Sequence, residues 1–302
     1  MIVRPASCAR KLSLLLLLGA AGCAGGEEAR VVVGLTTDMA VGFDVDKLAV
    51  KLESGGALVR SEELSYAEGK LSLPAEIAAG AMPEGAEVQV SVDAFGDHGT
   101  KHLFTRQAAT RAELGRMVLL PVSLGEACVT AICPAGTTCV EGDCRDPFVA
   151  PSTLSAYDPS WIATAPDACK TPSSGPPAIV IGRGNDAYAP VSEGEVVPIE
   201  AGPQGGYHVW LALRVEGLRQ LGTEMTITGY FPDRDVTLSP FTALVTLRKA
   251  EGGQCEIHGI RFQVTRAEDV EEVRGQPIEV HVALTDPNGD SAEADARLVI
   301  AP

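Results

Sequence analysis

The chain has 302 residues, of which 21% are charged and 5% aromatic, with 32 glycines and 20 prolines. That length predicts two domains, and Gly/Pro punctuation with few aromatics suits β domains better than a helical bundle. The net charge of −16 repels phosphate backbones and excludes nucleic acid as a partner. Such acidity serves solubility and attracts cations, Ca²⁺ among them.

Residues 1–22 have the anatomy of a signal peptide. Arg4, Arg10 and Lys11 form a basic start, and Leu12 to Leu18 an apolar run broken only by Ser13. Gly19, Ala20, Ala21 and Gly22 then precede Cys23. The run is too short to cross a bilayer as a helix. A cysteine directly after small residues resembles the bacterial lipobox, although Ala20 stands where that family usually has Leu. The resemblance implies cleavage before Cys23 and a diacylglyceryl group on its sulfur. Acyl chains contribute about 0.8 kcal/mol per buried methylene, so several on one residue anchor firmly. Ala24 is not acidic, which by Gram-negative sorting rules implies the outer membrane. The predicted partner is therefore a lipid bilayer, reached through Cys23, and the predicted location is the cell envelope. Loss of the three basic leader residues takes the net charge to −19.

Residues 23–29 read as a Gly/Glu tether. Residues 30–125 alternate apolar and polar positions. Val31, Val33 and Leu35 share one parity, as do Leu48, Val50 and Leu52, and Val88, Val90, Val92 and Ala94. Period two means one buried face per strand. Gly55-Gly56, Glu68-Gly69 and Pro83-Glu84-Gly85 mark turns. The pattern predicts an N-terminal Ig-like β-sandwich, closing with a strand from Met117 to Leu124. Ala75 to Ala81 reads as one helical turn.

Residues 126–146 hold Cys128, Cys133, Cys139 and Cys144, a segment too small for its own core and dependent on cross-links. With Cys8 in the leader and Cys23 acylated, Cys169 and Cys255 complete a set of six. An even number in an exported chain predicts disulfides. The simplest account is a Cys169–Cys255 staple and two bridges in the cluster. Three connectivities are open there, with interlocked Cys128–Cys139 and Cys133–Cys144 favoured. Zinc fits poorly, because the spacings are four and five residues, not two, and export disfavours thiolates.

Residues 147–177 carry seven prolines and predict an extended, semi-rigid linker. Tyr157 and Trp161 are unusual for a free linker and predict docking on a neighbouring domain. Residues 178–302 supply eight further β runs and predict a C-terminal Ig-like sandwich. Val209, Leu211, Leu213 and Val215 form one inward face; Ile278, Val280, Val282 and Leu284 form another. Glu268 to Glu272 reads as a short helical crossover. Asp286-Pro287-Asn288-Gly289-Asp290 is a strong turn between the last two strands. The predicted fold is thus mainly β: two Ig-like sandwiches joined by a stapled segment and a Pro-rich linker.

The run CVTAICPAGTTCVEGDCR after a β domain resembles uncharacterised lipoproteins of myxobacterial type, and loosely half of an EGF-like module without its six-cysteine frame. GPQGGYHVWLALRVEGL resembles a stretch in the same secreted proteins. The resemblance implies location and architecture, and no chemistry.

The candidate ligand surface is Tyr207, His208 and Trp210. An aromatic–imidazole platform there would suit an envelope glycan or protein; the alternative is a tight turn with Trp210 covering a sheet edge or the linker. Asp286, Asn288 and Asp290 copy the start of a Ca²⁺ loop, but Ser291 and Arg297 stand where it needs Gly and Glu, so an EF-hand is rejected. His98 and His102 lie in a Gly-flanked loop, and His258 and His281 read as exposed strand histidines. No cofactor and no metal site is predicted. A Gly-x-Ser-x-Gly elbow, a His-Glu-x-x-His helix, a phosphate loop and a dinucleotide fingerprint are all missing from the sequence. The reading is a non-enzymatic, membrane-anchored binding or structural module. Its alternatives are a divalent-cation-dependent adhesin and a hydrolase with a site between domains.

Overall fold

The computed structural model describes residues 28–202, 205–250 and 253–302. The signal segment and Cys23 lie outside them. Among the described residues no helix is long and apolar enough to cross a membrane.

Period-two patterning becomes strands throughout residues 29–124: β1 (Ala29–Thr37), β2 (Lys47–Ser54), β3 (Ala57–Ser65), β4 (Ala75–Met82), β5 (Glu87–Gly96), β6 (Lys101–Arg111) and β7 (Met117–Leu124). They form two sheets, β4-β1-β7 and β3-β2-β5-β6. Val31, Val33, Leu35, Leu48, Val50, Leu52 and the apolar face of β5 meet in one core between them. β1 runs parallel to β7 and antiparallel to β4.

The stretch predicted as a helical turn is strand β4. Its alanines and Glu76 favour helix locally. Pairing with β1, from Leu35↔Ala75 to Ala29↔Met82, buries Ile77, Ala79 and Met82. Burial against a sheet partner outweighs local preference.

The cysteine segment carries the short hairpin β8 (Thr138–Val140) and β9 (Asp143–Arg145). Cys128 is bonded to Cys139 and Cys133 to Cys144. Cross-links are not its only support. Cys128 and Cys139 are buried in the first core, and the Gln107 N–H donates to the Thr138 hydroxyl at 2.9 Å. The segment borrows the core it is too small to build.

The proline-rich connector is docked rather than free. Ala109 N–H donates to Pro147 O at 2.8 Å, and Val149 N–H to Ala109 O at 2.7 Å. Further on, Leu119 N–H donates to Ser155 O and Tyr157 N–H to Met117 O. Proline lacks a donor but keeps its carbonyl, so an extended Pro-rich chain can still pair along a sheet edge. Leu154 enters the first core, and the Tyr157 hydroxyl donates to Glu76 Oε2 at 2.8 Å. Trp161, opening α1 (Trp161–Thr164), lies on β1. From Ala163 onward the connector belongs to the second domain: the Ala163 carbonyl accepts from Arg219 Nη1 at 2.8 Å and from Asn288 Nδ2 at 3.0 Å.

Gly34 makes the Trp161 contact possible. A Cβ at that position would sit 2.6 Å from Trp161 Cη2. Gly34→Ala is expected to cost about 1–3 kcal/mol, the usual range for overpacking. The Trp161 emission should shift to longer wavelength as the ring is pushed into water. An unchanged denaturation midpoint with unchanged emission would show that the contact contributes nothing.

The second domain contains β10 (Ala178–Arg183), β11 (Ala189–Pro190), β12 (Glu195–Val197), β13 (Glu200–Ala201), β14 (Gly206–Glu216) and β15 (Leu221–Phe231). Then come β16 (Val236–Thr237), β17 (Phe241–Thr246), β18 (Arg248–Lys249), β19 (Cys255–Arg266), β20 (Pro277–Thr285) and β21 (Ser291–Ile300). One sheet runs β11-β10-β14-β19-β18, with β13 also on β14. The other runs β12-β21-β20-β15-β16, with β17 also on β15. The final hairpin thus sits beside β15 and opposite β14 and β19, the Ig-like division of strands. A single turn of helix, α2 (Val270–Val273), crosses between the sheets after a 3-10 turn at Ala267–Asp269. Cys169 is bonded to Cys255 at the start of β19. The two domains also touch directly. Arg248 Nη2 lies 3.3 Å from Asp44 Oδ1, and its guanidinium lies 4.6 Å from the centre of the Phe43 ring.

Candidate ligand surface on the second domain

Tyr207, His208 and Trp210 open β14. Alternation sends Val209, Leu211, Leu213 and Val215 into the core and His208 and Trp210 to the outer face. That face is not the open platform the sequence allows. His208 is only 6% exposed, and Tyr207 and Trp210 are half-buried. The cause is crowding from the strands on either side: β13 pairs with β14 at Glu200↔His208 and β19 at Trp210↔Arg261. The indole N–H of Trp210 donates to Glu200 Oε2 at 2.9 Å. The Arg261 guanidinium stands 5.0 Å from the indole centre, and His208 meets the indole edge to face at 4.7 Å. Trp210 is clamped between side chains of the neighbouring strands.

Burial, reinforced by the positive charge of Arg261 and only partly offset by Glu200, holds the His208 imidazole below its ordinary pKa. The ring is therefore neutral at neutral pH. Its Nε2 is buried with no hydrogen-bond partner among the described residues.

Sequence reasoning missed Arg261. Its place opposite Trp210 follows from the β14–β19 register, across a separation no local pattern reports. The one available signal was the alternation of Arg261, Gln263 and Thr265 with buried Phe262 and Val264.

Beside this patch a cleft of about 610 Å³ opens between β19 and the edge of the opposite sheet. Two features create it. β18 is two residues long and pairs only with Cys255 and Glu256, so the rest of β19 has no strand on that side. Across the gap, the partner of β15 is split into β16 and β17, and the chain between them turns at Ser239-Pro240. Arg234, Arg261 and Arg266 line the cleft with Val236, Leu238 and Phe241; Asp269 is the one carboxylate on its wall. Three guanidiniums at one site contrast with a chain of net charge −16.

The Asp286–Asp290 oxygens serve another purpose. The Lys170 ammonium lies 2.8 Å from Asp286 Oδ2 and also contacts Asp290. The Asp286 carboxylate accepts further hydrogen bonds from the backbone N–H groups of Asn288 at 2.8 Å, Asp290 at 3.1 Å and Arg219 at 3.3 Å. A lysine occupies the seat a divalent cation would need. Among the described residues no group of three or more His, Cys, Asp or Glu side chains is arranged to hold a metal ion.

The remaining histidines stay apart. His98 sits in a turn with φ +56°, and its N–H donates to Asp46. His102 lies on β6, 3.5 Å from Asp93. His258 contacts the Asn185 carbonyl at 3.0 Å and His281 the Asp295 carboxylate at 2.8 Å. His208 and His281 belong to opposite sheets.

Between the domains a smaller polar cleft of about 250 Å³ gathers Asp38, Asp44, Glu126, Glu256 and His258 around Arg248 and Lys249. Its composition is what a hydrolase site would ask for. Its bonds are those of a joint: Asp38 accepts from the Glu126 N–H at 2.7 Å, and Asp44 from the Ala40 N–H and from Arg248.

The chain matches no known protein family and no curated protein. Solved structures it resembles include one concerned with host cell surface retention of a 1.5-MDa bacterial ice-binding adhesin. Identity there is 10% over 90% of this chain and 64% of that one, with a TM-score of 0.22. A tetra-tandem repeat from the extending region of a large adhesion protein gives 9% identity over 89% and 48%, with a TM-score of 0.23. A cytokine receptor complex gives 10% over 89% and 95%, with a TM-score of 0.19. The chain thus spans less than two thirds of either adhesin chain, and similarities this slight carry no argument about what it does.

Proposed function

We propose that the chain is an exported lipoprotein, anchored through Cys23, that holds a binding or structural surface out from the cell envelope. One observation carries the reading: Cys128, Cys133, Cys139, Cys144, Cys169 and Cys255 are all paired, chemistry that persists in oxidising compartments. The docked connector supports a display role, because it joins the two sandwiches by hydrogen bonds and apolar contacts rather than by free chain. The outer face of β14 and the adjoining cleft are the surface we assign to an envelope glycan or protein. The role is that of a binder rather than an enzyme: the conspicuous ionic groups, Lys170, Asp286 and Asp290, are engaged with one another. The seat occupied by Lys170 also argues against a cation-dependent adhesin.

The test is mass spectrometry of the native N-terminus. A first residue Cys23 bearing acyl chains is expected, and Cys23→Ala should move the chain from the detergent phase to the aqueous phase on partition. An intact, unmodified start at Met1 would overturn the anchoring. Pull-down from intact envelopes with the purified chain then identifies the partner class.

A further inference from the structure

We propose that the free edge of β19, from Ile260 to Arg266, takes an extended acidic peptide segment as an added strand. The inference rests on the reading of the chain as a binding module and names the ligand class of the cleft.

Three observations converge. First, β19 pairs with β14 along its length up to Gly206↔Arg266, but on its other side β18 reaches only Glu256. An antiparallel strand points its backbone groups alternately to its two sides. About half of the N–H and C=O groups over Ile260–Arg266 therefore face the cleft instead of a strand. An open edge with space beside it is the template for strand addition, in which main-chain hydrogen bonds give affinity and alternate side chains give specificity.

Second, there is space beside that edge for extended chain. The cleft's volume of about 610 Å³ lies where the opposite sheet turns away at Ser239-Pro240. Leu238, tied to β15 by its N–H to Gly229 O at 2.8 Å, and Phe241, 37% exposed, offer an apolar floor for every second side chain of a guest.

Third, the walls are basic. Arg261 and Arg266 on β19 and Arg234 after β15 line the opening, against a single Asp269. Arg234 pairs with Glu272 and Arg261 is stacked on Trp210. Arg266 is exposed and makes no side-chain ion pair among the described residues. A guest with carboxylates on one face and apolar groups on the other satisfies both the arginines and the apolar floor. Arginines also guard edges against unwanted pairing, and the experiment separates guarding from recruiting.

The probe is a capped, fluorescently labelled peptide of alternating Glu and Val, titrated into the full chain in mild detergent and read by anisotropy. Saturable binding is expected. It should weaken at least about tenfold, or 1.4 kcal/mol, when alternate backbone amides of the peptide are methylated, and by a similar factor in Arg266→Glu. An alternating Lys/Val peptide should bind at least about tenfold more weakly than the Glu/Val peptide. Trp210 emission should respond to the bound peptide through Arg261. The Arg266→Glu chain is checked by its melting temperature, which an exposed substitution leaves in place. Absence of binding at about 1 mM (an affinity worth only some 4 kcal/mol) overturns the proposal. So does equal binding of the methylated or the lysine peptide, or an unaffected Arg266→Glu. Displacement of the peptide by oligogalacturonate assigns the cleft to an anionic sugar and also overturns it. Recovery of an unchanged envelope partner by the Arg266→Glu chain would remove this site while leaving the binding-module reading in place.

Discussion

Replacing Cys169 and Cys255 together by alanine is expected to destabilise the chain more than removing either clustered bridge. The Cys169–Cys255 bond closes a sequence separation of 86 residues, against 11 for each of the others. Chain-entropy scaling makes the long loop worth roughly 4–5 kcal/mol and each short one about 3. Packing adds to the difference. Cys169 and Cys255 are both buried in the second core, whereas Cys144 lies exposed. Cys169 also anchors the connector just where it changes allegiance, since Asp167 accepts from the Cys169, Lys170 and Gln220 N–H groups. Denaturant unfolding of the three double variants, followed domain by domain through Trp161 and Trp210, checks the order. A larger loss for Cys133/Cys144 than for Cys169/Cys255 would refute it.

Asp286→Ala is expected to cost about 3 kcal/mol, the lower end for breaking a buried ion pair. The Asp286 side chain is fully buried, but Lys170 retains 25% exposure and Asp290, which softens the loss. Asp286→Asn keeps an acceptor for the turn N–H groups and should cost less, about 1–2 kcal/mol. The pH dependence follows from the same contacts. Burial raises the Asp286 pKa. Hydrogen bonds from Lys170 and from the Asn288, Asp290 and Arg219 N–H groups outweigh it, so the carboxyl sits below the ordinary range. Its contribution is fully present above the unfolded value near 3.9 and is lost as pH falls through the lower folded value. For Lys170, burial pushes the pKa down, and bonding to Asp286 and Asp290 raises it by more. That contribution is present below the unfolded value near 10.4 and fades as pH rises through the folded one. Urea unfolding at neutral, acid and alkaline pH should show the wild-type chain losing stability below about pH 4 more steeply than Asp286→Asn. Parallel curves would show that the pair does not set the acid limb.

Much of the architecture is written locally. Val209, Leu211, Leu213 and Val215 announce a buried face because a strand alternates its side chains whatever it pairs with. Asp286-Pro287-Asn288-Gly289-Asp290 announces a turn because those residues bond their own backbone, as Gly289 N–H does to Asp286 O at 2.9 Å. Ala75–Ala81 was misleading for the same reason: local preference spoke for helix, and only the pairing with β1 made it a strand.

The candidate site was less legible. Alternation puts His208 and Trp210 on the outer face but does not tell how far the side chains of β13 and β19 cover them there. Glu200 and Arg261 reach Trp210 from different strands, and Lys170 reaches Asp286 across 116 positions. The cleft depends on something absent from every local pattern: β18 stops after two residues, and β16 and β17 part at Ser239-Pro240.

By itself the amino-acid sequence determined most of the strands and their buried sides, where the last hairpin turn falls and how many cysteines there are to pair; β4 was the exception. Tertiary structure decided what lies against the outward faces, which carboxylate is given to a lysine rather than left open, and which strand edge remains without a neighbour. The division has a physical reason. Backbone periodicity and turn chemistry act between residues a few positions apart, whereas burial of a polar face and pairing of an edge are set by chain segments that meet only once the sheets have formed.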